Sequence, residues 1–371
     1  MALDAGFVKA LENVAPVRLD EPLSRHTTIG IGGPADAYVS AGSASQLGDV
    51  LRVCAEAGVP VFMLGSGSNI VVGDGGIRGV VVENRAQVVT GPSRIDGATV
   101  DDVAQLPHPN PLARGRGDEL EDGEAHLTPA TARPSPSTER GSERGDVGLP
   151  AERPSTPGVQ RVLFRLESGC SFAAESRRLA FAGYAGLEWA CGIPGTLGGA
   201  VVYNAGAYGG CLADVLQRVA VWDAAAGERV FDAPELGLVY RGSDLSRGVM
   251  AGRVVLWAEV ALWRGEIEAL KERVADYDAR RLKAQPRGRN AGSFFKNPPG
   301  HPAWRLLDAV GLRGYRVGGA EFSEKHCNFL INAGGATGAD VSALKSLAQE
   351  RVRAEFGVEL ENEVSLVGEG W

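Results

Sequence analysis

Apolar residues that recur every three or four positions mark the helical segments of the chain. Residues 43–58 are the clearest case, because serines precede the first apolar position and Gly58 follows the last one, as is usual at helix ends. The apolar face of this segment consists of Leu47, Val50, Leu51 and Cys54. The same spacing predicts helices over residues 172–182, 266–282 and 339–356.

Short β-rich runs account for the other hydrophobic segments. Residues 59–64 (VPVFML) are a continuous apolar run of the kind found in buried strands. Residues 215–222, 229–231 and 254–262 alternate between apolar and polar positions, as antiparallel strands do. Further strands are predicted at 70–72, 79–82, 162–166 and 358–367. Because helices and strands do not alternate regularly, the pattern favours an α+β fold.

The length of the chain, 371 residues, corresponds to two domains at roughly 150 residues each. We place the boundary near residues 264–266, where the alternating strands end and an amphipathic helix begins. The first domain is therefore predicted to comprise residues 1–87 and 160–265, and the second domain residues 266–371.

Residues 88–159 differ in composition and interrupt the first domain. No aromatic residue lies between Arg85 and Phe164, and nine of the twenty prolines lie between Pro107 and Pro157. A segment so poor in apolar side chains cannot offset the entropy lost on ordering, so we predict that it is largely disordered. An inert insertion is the favoured interpretation, and a segment that binds another protein is the alternative.

Charge and cysteine content exclude several classes of partner. With 38 basic and 46 acidic side chains the net charge is −8, whereas nucleic-acid binding requires a basic face. The sequence has no run of 18 apolar residues and no signal peptide, so we expect no membrane insertion. Five cysteines without a CxxC spacing disfavour disulfides and a metal site and indicate a location in the reducing cytoplasm.

Three clusters of glycine supply the candidate binding chemistry. They span residues 65–69 (GSGSN), 192–200 (GIPGTLGGA) and 204–210 (NAGAYGG). Glycine permits positive φ angles and a close approach of the backbone to a ligand, and successive backbone N–H groups form anion-binding nests. Two nests that are far apart in sequence fit a pyrophosphate. Tight turns without a ligand are the alternative.

The common nucleotide-binding motifs are absent or lack their structural context. There is no GxxxxGK[ST] loop and no GxSxG elbow, which argues against a P-loop and a serine-hydrolase nucleophile. Residues 30–35 match GxGxxA, but a polar segment precedes them and a strand-like segment follows, where the dinucleotide fingerprint needs a strand and then a helix. Residues 59–83 also begin with a strand and a glycine-rich turn, but they leave too little chain for the crossover helix that a dinucleotide-binding βαβ unit requires. We therefore predict that the chain has no Rossmann domain.

Five motifs occur in a specific order: VPVFMLGSGSNIVVGDGGIRGVVVE, GLEWACGIPGTLGGAVVYNAGAYGG, VYRGS, NAGSFFKNP and LENEVSLVGE. Together they closely resemble the UDP-N-acetylenolpyruvoylglucosamine reductase family, and the resemblance covers the chain except for about residues 88–160. It implies a two-lobed FAD-binding domain of the vanillyl-alcohol-oxidase (PCMH) type and a smaller C-terminal α+β domain that binds substrate. It also implies noncovalent FAD, NADPH as co-substrate, and reduction of the enolpyruvyl ether of UDP-N-acetylglucosamine to UDP-N-acetylmuramate for peptidoglycan synthesis.

The resemblance also implies roles for individual residues. The catalytic positions are Arg241, Ser293 and Glu363. The substrate-binding positions are Tyr208, Arg280, Lys283, Lys296 and Asn297. The cofactor-binding positions are Gly65, Ser66, Gly67, Ser68, Asn69, Ile193, Pro194, Gly195, Gly198, Gly199, Asn204, Gly206 and Ala207. No metal is expected. A monomer is the expected state, although the sequence does not determine the oligomeric state.

The implied reaction builds negative charge next to a carboxylate, which requires a preorganised cationic or hydrogen-bonding clamp. Arg241 suits this role because its planar guanidinium binds a carboxylate with two hydrogen bonds. Ser293 would deliver the proton to a carbanion-like carbon. Glu363 fits beside an anion only if it is protonated or paired with Arg241, and the protonated form, which burial near like charge would favour, is our hypothesis.

Without the resemblance, each of these residues has an ordinary structural interpretation. Arg241 fits a surface turn, Ser293 a turn or cap, and Glu363 the solvated face of a strand. His326 is interpreted as structural. Two other functions stay open, namely an FAD oxidase of the same superfamily and a nucleotide-binding module without catalysis. The oxidase is disfavoured because His26 is the sole candidate for a covalent flavin link.

Overall fold

The computed structural model describes residues 3–94 and 161–371 of the chain. These residues form two lobes and a C-terminal unit, each with its own sheet, which confirms the predicted α+β class. Residues 95–160, which include most of the predicted insertion, lie outside the described residues.

The first lobe is a four-stranded sheet with two helices. Its sheet order is β1-β2-β5-β3, with β2 and β3 parallel to β5 and β1 antiparallel to β2. The helix predicted over residues 43–58 is confirmed, and its N-cap is Ser43. The elements are α1 (Ala5–Glu12), β1 (Val17–Pro22), β2 (Pro34–Ala41), α2 (Ala44–Glu56), β3 (Val61–Leu64), β4 (Ile70–Val72) and β5 (Ile77–Asn84).

The second lobe is built on an antiparallel sheet with the order β12-β11-β13-β7-β6, to which β8 adds a short pairing with β13. The alternating runs of the sequence form its central hairpins as predicted. The elements are β6 (Val89–Arg94), β7 (Arg161–Glu167), α3 (Phe172–Phe181), β8 (Tyr184–Ala185), α4 (Leu197–Val202), β9 (Gly206–Ala207), β10 (Gly210–Cys211), β11 (Leu216–Asp223), β12 (Gly227–Asp232) and β13 (Val254–Arg264).

The C-terminal unit has an antiparallel sheet with the order β14-β17-β16-β15, which packs against two helices. The elements after β13 are α5 (Ile267–Ala284), β14 (Asn290–Ser293), α6 (Ala303–Ala309), β15 (Arg316–Val317), β16 (Ala320–Phe322), β17 (Phe329–Asn332), α7 (Gly338–Phe356) and β18 (Ser365–Val367). As predicted, α7 ends at Gly357, which has a left-handed φ of 67°.

Val89–Arg94, at the edge of the range 88–159 that was expected to be largely disordered, forms β6 and pairs with β7, while residues 95–159 lie outside the described residues. Two other segments differ from the sequence-based expectation. Helix α5 was assigned to the C-terminal domain, but its buried stripe of Leu270 and Val274 packs on the second lobe. The last strand was predicted at 358–367 but is limited to β18, because residues 358–364 pair only irregularly with the chain around Phe295. The alternating pattern of this segment reflects the burial of Leu360 and Val364 in the C-terminal core.

The C-terminal unit is joined to the first lobe by main-chain hydrogen bonds. Strand β18 runs parallel to β4, and the backbone beyond it continues along the turn at residues 73–76, where Glu369 N donates to Gly76 O. Asp74 in this turn accepts hydrogen bonds from the first two amides of α7, Gly338 N at 2.8 Å and Ala339 N at 3.2 Å. The Asp340 amide donates to Thr337 Oγ1, and the amide of the N-cap residue Thr337 donates to the Asp340 carboxylate. All four amides that a helix N-terminus leaves without an intrahelical partner are therefore satisfied.

Within the described ranges, no helix is both long enough and apolar enough to cross a membrane.

Removal of the Asp74 carboxylate should weaken the docking of the C-terminal unit. We expect Asp74→Ala to destabilise the protein by about 1 kcal/mol, the usual loss for a helix N-terminal capping side chain, and to lower Tm. Asp49→Ala is the matched control, because Asp49 forms only an exposed ion pair with Arg52 within α2, which contributes little. Equal Tm values for the two variants, measured by thermal unfolding, would contradict the capping role.

Candidate active site

A cavity of about 2100 Å³ lies where the two lobes and the C-terminal unit meet, since all three contribute to its lining. Every residue that the sequence predicts for the site, catalytic, cofactor-binding or substrate-binding, lines this cavity. Pockets for one small ligand usually measure roughly 300–1,000 Å³. The volume therefore has room for two large ligands at the same time.

The first glycine loop, residues 65–69, connects β3 to β4 and lies directly on the backbone of residues 26–27. Gly67 has a φ of 63°, and a Cβ there would lie 2.1 Å from the carbonyl oxygen of His26. A position with a left-handed φ and no space for a Cβ accepts only glycine. Because Gly67 has no side chain, the main chain of the loop packs directly on residues 26–27 and still lines the cavity.

The second glycine loop, residues 192–200, contacts the first loop. Ser68 donates its hydroxyl to Pro194 O at 3.2 Å, and a Cβ on Gly65 would lie 2.8 Å from Thr196 Oγ1. Thr196 also caps α4, whose first turn contains Gly198 and Gly199. Two backbone loops that face a common cavity, with serine hydroxyls between them, have the donor set that a pyrophosphate requires.

Three residues at the cavity hold backbone conformations that are unfavourable for a side chain. Asn204, Tyr208 and Arg241 have φ values of 42°, 49° and 54°. Among the described non-glycine residues only Asp20 shares this property. The Asn204 side chain stabilises the bend by donating to Val239 O and accepting from Ala213 N, each at 3.0 Å. Such strained residues persist where the surrounding structure holds them, and they cluster at functional sites.

Arg241 and Glu363 meet in the cavity although 122 positions separate them in the sequence. Arg241 Nε lies 3.2 Å from Glu363 Oε1, and Arg241 Nη1 donates to Gly206 O at 2.8 Å. Asn69 of the first glycine loop donates its amide to Glu363 O at 3.3 Å. Ser293, at the end of β14, lines the same cavity. The three catalytic candidates therefore share one site, and Glu363 lies next to a guanidinium.

The predicted substrate-binding residues differ in how closely they are held. The Tyr208 ring stacks on Tyr277 with centroids 4.5 Å apart, and its hydroxyl donates to Tyr277 O at 3.1 Å. Asn297 Oδ1 accepts from Ala303 N at 2.9 Å. Lys296 reaches Glu361 at 3.1 Å, and Lys283 is exposed at the rim. Arg280 is 64% exposed and pairs with Asp276 at 2.7 Å, so it faces solvent more than the cavity.

Arg281 is a cavity residue that the sequence interpretation missed. Its guanidinium lies against Gly192, and burial lowers its pKa from the ordinary value. Within the described residues the guanidinium forms no hydrogen bond or close ion pair; the nearby Asp278, with which it interacts electrostatically, is engaged by Arg177 at 2.7 and 3.1 Å. A signal was present in the sequence, because Arg281 continues the buried helical stripe of Leu270, Val274 and Tyr277, whereas Arg280 lies outside it.

The two histidines that the sequence analysis singled out lie in different surroundings. His26 does not line the cavity; its ring lies between Glu21 (2.8 Å) and the Tyr38 hydroxyl (3.0 Å). His26 is therefore not placed to attach a flavin covalently. His326 does line the cavity, where it packs among Trp304 and Phe329.

Comparison with known proteins gives a consistent result for both parts of the chain. Residues 35–99 and 159–231 match the family model "FAD binding domain", and residues 284–367 match "UDP-N-acetylenolpyruvoylglucosamine reductase, C-terminal domain". The first match omits residues 100–158, which lie within the insertion predicted from composition. The second begins at the end of α5.

Full-length relatives show the same similarity. The chain is 36% identical over 357 residues to the UDP-N-acetylenolpyruvoylglucosamine reductase of Moorella thermoacetica, covering 95% of this chain and 94% of that protein. It is 37% identical over 355 residues to the enzyme of that name from Rubrobacter xylanophilus, covering 95% of each. The crystal structure of the Thermus caldophilus reductase superposes with a TM-score of 0.64 at 29% identity, covering 95% of this chain and 98% of that one.

The close contact under Gly67 generates a prediction about flavin retention. Gly67→Ala should displace the first glycine loop, because the added Cβ would collide with His26 O, and most of the flavin should be lost on gel filtration. Gly311→Ala is the matched control, since Gly311 has a φ of 71° and open space around it. Flavin absorbance per protein is the measurement. Equal flavin content in the two variants would show that the loop does not hold the cofactor.

Proposed function

Because the chain belongs to the UDP-N-acetylenolpyruvoylglucosamine reductase family, we propose that its cavity reduces the enolpyruvyl ether of UDP-N-acetylglucosamine to UDP-N-acetylmuramate, a step of peptidoglycan precursor synthesis. The protein is an FAD-binding oxidoreductase. When bound, FAD supplies the redox chemistry by accepting hydride from NADPH and providing it to the terminal carbon of the substrate's double bond. The glycine loops at 65–69 and 192–200 would hold its pyrophosphate.

The observation that carries this proposal is the meeting of Arg241, Ser293 and Glu363 in the cavity that the glycine loops line. The three residues come from the second lobe, from β14 and from the segment before β18. A nucleotide-binding module without catalysis would not need such a set. An acceptor of hydride that becomes carbanion-like needs a cation, a proton donor and a means of orienting both.

Arg241 would bind the substrate carboxylate and stabilise the negative charge that develops beside it. Its guanidinium is already oriented by Gly206 O and Glu363. A fixed, planar cation loses little freedom when it binds a carboxylate, and it stabilises developing charge most strongly where water is excluded. The left-handed φ of Arg241 is the local strain that this orientation requires.

Glu363 would fix the position of the Arg241 guanidinium relative to the first glycine loop. Of the two states considered from the sequence, the 3.2 Å contact supports pairing with Arg241 over an isolated protonated carboxyl. Because Asn69 bonds to the main chain of Glu363, the carboxylate and the glycine loop are positioned together.

Ser293 would deliver the proton to the carbon next to the carboxylate. In the described part of the chain its hydroxyl forms no side-chain hydrogen bond, so it is available to a ligand. A hydroxyl is a weak acid, but an enolate is a strong enough base to accept its proton. A positioned general acid contributes about 10²–10⁴ in rate.

The UDP diphosphate would be bound chiefly by Arg281, with Lys283 at the rim and Tyr208 beside it. Arg281 is held in the cavity wall, whereas Arg280 is neutralised by Asp276 on the solvent face. A partly buried guanidinium that has no hydrogen bond or close ion pair within the described residues gains more from a phosphate than an exposed, paired one does. The monomeric state and the cytoplasmic location stay predictions from the sequence and the resemblance.

The proton-donor role of Ser293 predicts a selective defect. Ser293→Ala should leave reduction of the flavin by NADPH nearly unchanged and slow its reoxidation by the enolpyruvyl substrate by about 10²–10⁴, as measured by anaerobic stopped-flow absorbance. Ser365→Ala removes another cavity hydroxyl, which pairs with Tyr203, and should slow neither step by more than a few-fold. Equal losses in both steps of Ser293→Ala would exclude the proton-donor role.

The two adjacent arginines of α5 should respond differently to neutral substitution. Arg281→Gln should raise KM for the UDP substrate about tenfold to a hundredfold, the loss expected for one charge-assisted hydrogen bond. Arg280→Gln, which disrupts only an exposed ion pair, should change KM little. Steady-state kinetics at saturating NADPH provide the comparison, and a larger KM effect at Arg280 would reverse the assignment.

A further inference from the structure

Thr28 connects the first glycine loop to the strand that carries Ser293. Its backbone N–H donates to Gly67 O at 3.0 Å, and its hydroxyl donates to Asn290 O at 2.6 Å. The Thr28 hydroxyl also lies 3.3 Å from Gly67 O. Because a hydroxyl has a single proton to donate, we assign its hydrogen bond to Asn290 O, which is the nearer acceptor. The amide and the hydroxyl of one residue thus hold two parts of the site.

Strand β14 needs such a support because its own pairing is irregular. It is an edge strand of only four residues, and its register with β17 shifts between Asn290 and Ser293. Gly292 lies within the shift and has a φ of 87°. A bulge of this kind redirects side chains and disrupts ladder hydrogen bonds. The sheet pairs Asn290 and Ser293 with β17 but leaves the two residues between them without a regular partner.

The glycine loop is held on the same short segment as β14. A Cβ on Gly67 would lie 2.1 Å from His26 O and 2.8 Å from Thr27 Cα, so no space separates the loop from residues 26–27. Thr28 follows directly and reaches Asn290, three positions before Ser293. Residues 26–28 are thus a common base for the loop and for the strand.

We propose that Thr28 is a positioning residue, whose hydroxyl sets the place of Ser293 relative to the first glycine loop through Asn290. The inference rests on the role proposed above for Ser293. Loss of the hydroxyl would release the start of β14 while the Thr28 amide continues to hold Gly67. Binding and reduction of the flavin would persist, whereas proton delivery to the substrate would become slower.

The test uses Thr28→Val, which removes the hydroxyl and keeps the shape, and Thr28→Ser, which restores the hydroxyl. In stopped-flow measurements with full-length flavoprotein, Thr28→Val should slow reoxidation by the enolpyruvyl substrate about tenfold, within the loss that a misplacement of about 1 Å produces, with flavin reduction by NADPH nearly unchanged. Thr28→Ser should recover most of the reoxidation rate. Thr90→Val is the matched control, because Thr90 is exposed on β6 and does not line the cavity.

A second measurement does not depend on activity. Amide hydrogen exchange of residues 290–293, followed by mass spectrometry on the full-length flavoprotein, should be faster in Thr28→Val than in wild type or Thr90→Val. If reoxidation and exchange in Thr28→Val match wild type, or if both half-reactions slow equally and serine does not rescue them, the positioning role is wrong. If reduced wild-type enzyme is not reoxidised by the enolpyruvyl substrate, the proposed function itself fails, and the exchange result then still decides whether Thr28 orders β14.

Discussion

The pairing of β4 with β18 is the contact on which the site depends. Strand β4 begins one residue after the first glycine loop, and β18 begins two residues after Glu363. Their parallel register, Ile70 with Ser365 to Val72 with Val367, places the loop and the carboxylate side by side. A parallel pair of three residues is weak alone, so the contacts that extend it matter: Gly73 N to Val367 O, Glu369 N to Gly76 O, and the Asp74 carboxylate at the start of α7.

Around this pairing, backbone approaches backbone at distances that only glycine allows. Gly67 lies against His26 O, and Gly76 against Pro34 O. Each contact occupies the space that a side chain would need, and the one at Gly67 lies in the cavity lining. Tyr208 and Arg241, which also line the cavity, hold left-handed backbone angles. Positions that are unfavourable for a side chain therefore recur where separate stretches of chain meet at the cavity.

The electrostatics of the cavity are opposite in sign to those of the whole chain. The net charge is −8, yet the basic residues of the cavity lining include Arg241, Arg273, Arg281, Lys283 and Lys296. Several are matched by carboxylates, as Arg241 is by Glu363 and Lys296 by Glu361. Arg281 interacts electrostatically with Asp278 but forms no close ion pair with it, since Arg177 engages that carboxylate. A site for two pyrophosphate-containing ligands can therefore exist on an acidic protein because charge is distributed locally.

The family resemblance supplied the three catalytic candidates, whereas the pattern along the sequence predicted the α+β class, most helices, the antiparallel strands and the glycine loops, because periodicity is a local property. That pattern did not determine where the last strand begins or which side α5 packs on, and therefore what its buried stripe and Arg281 face. Those features depend on packing: Leu270 and Val274 bury against the second lobe, and this orients α5 so that Arg281 points inward. The contact of Thr28 with Asn290, between residues 262 positions apart, has no trace in any local pattern, because only the folded chain brings the two segments together.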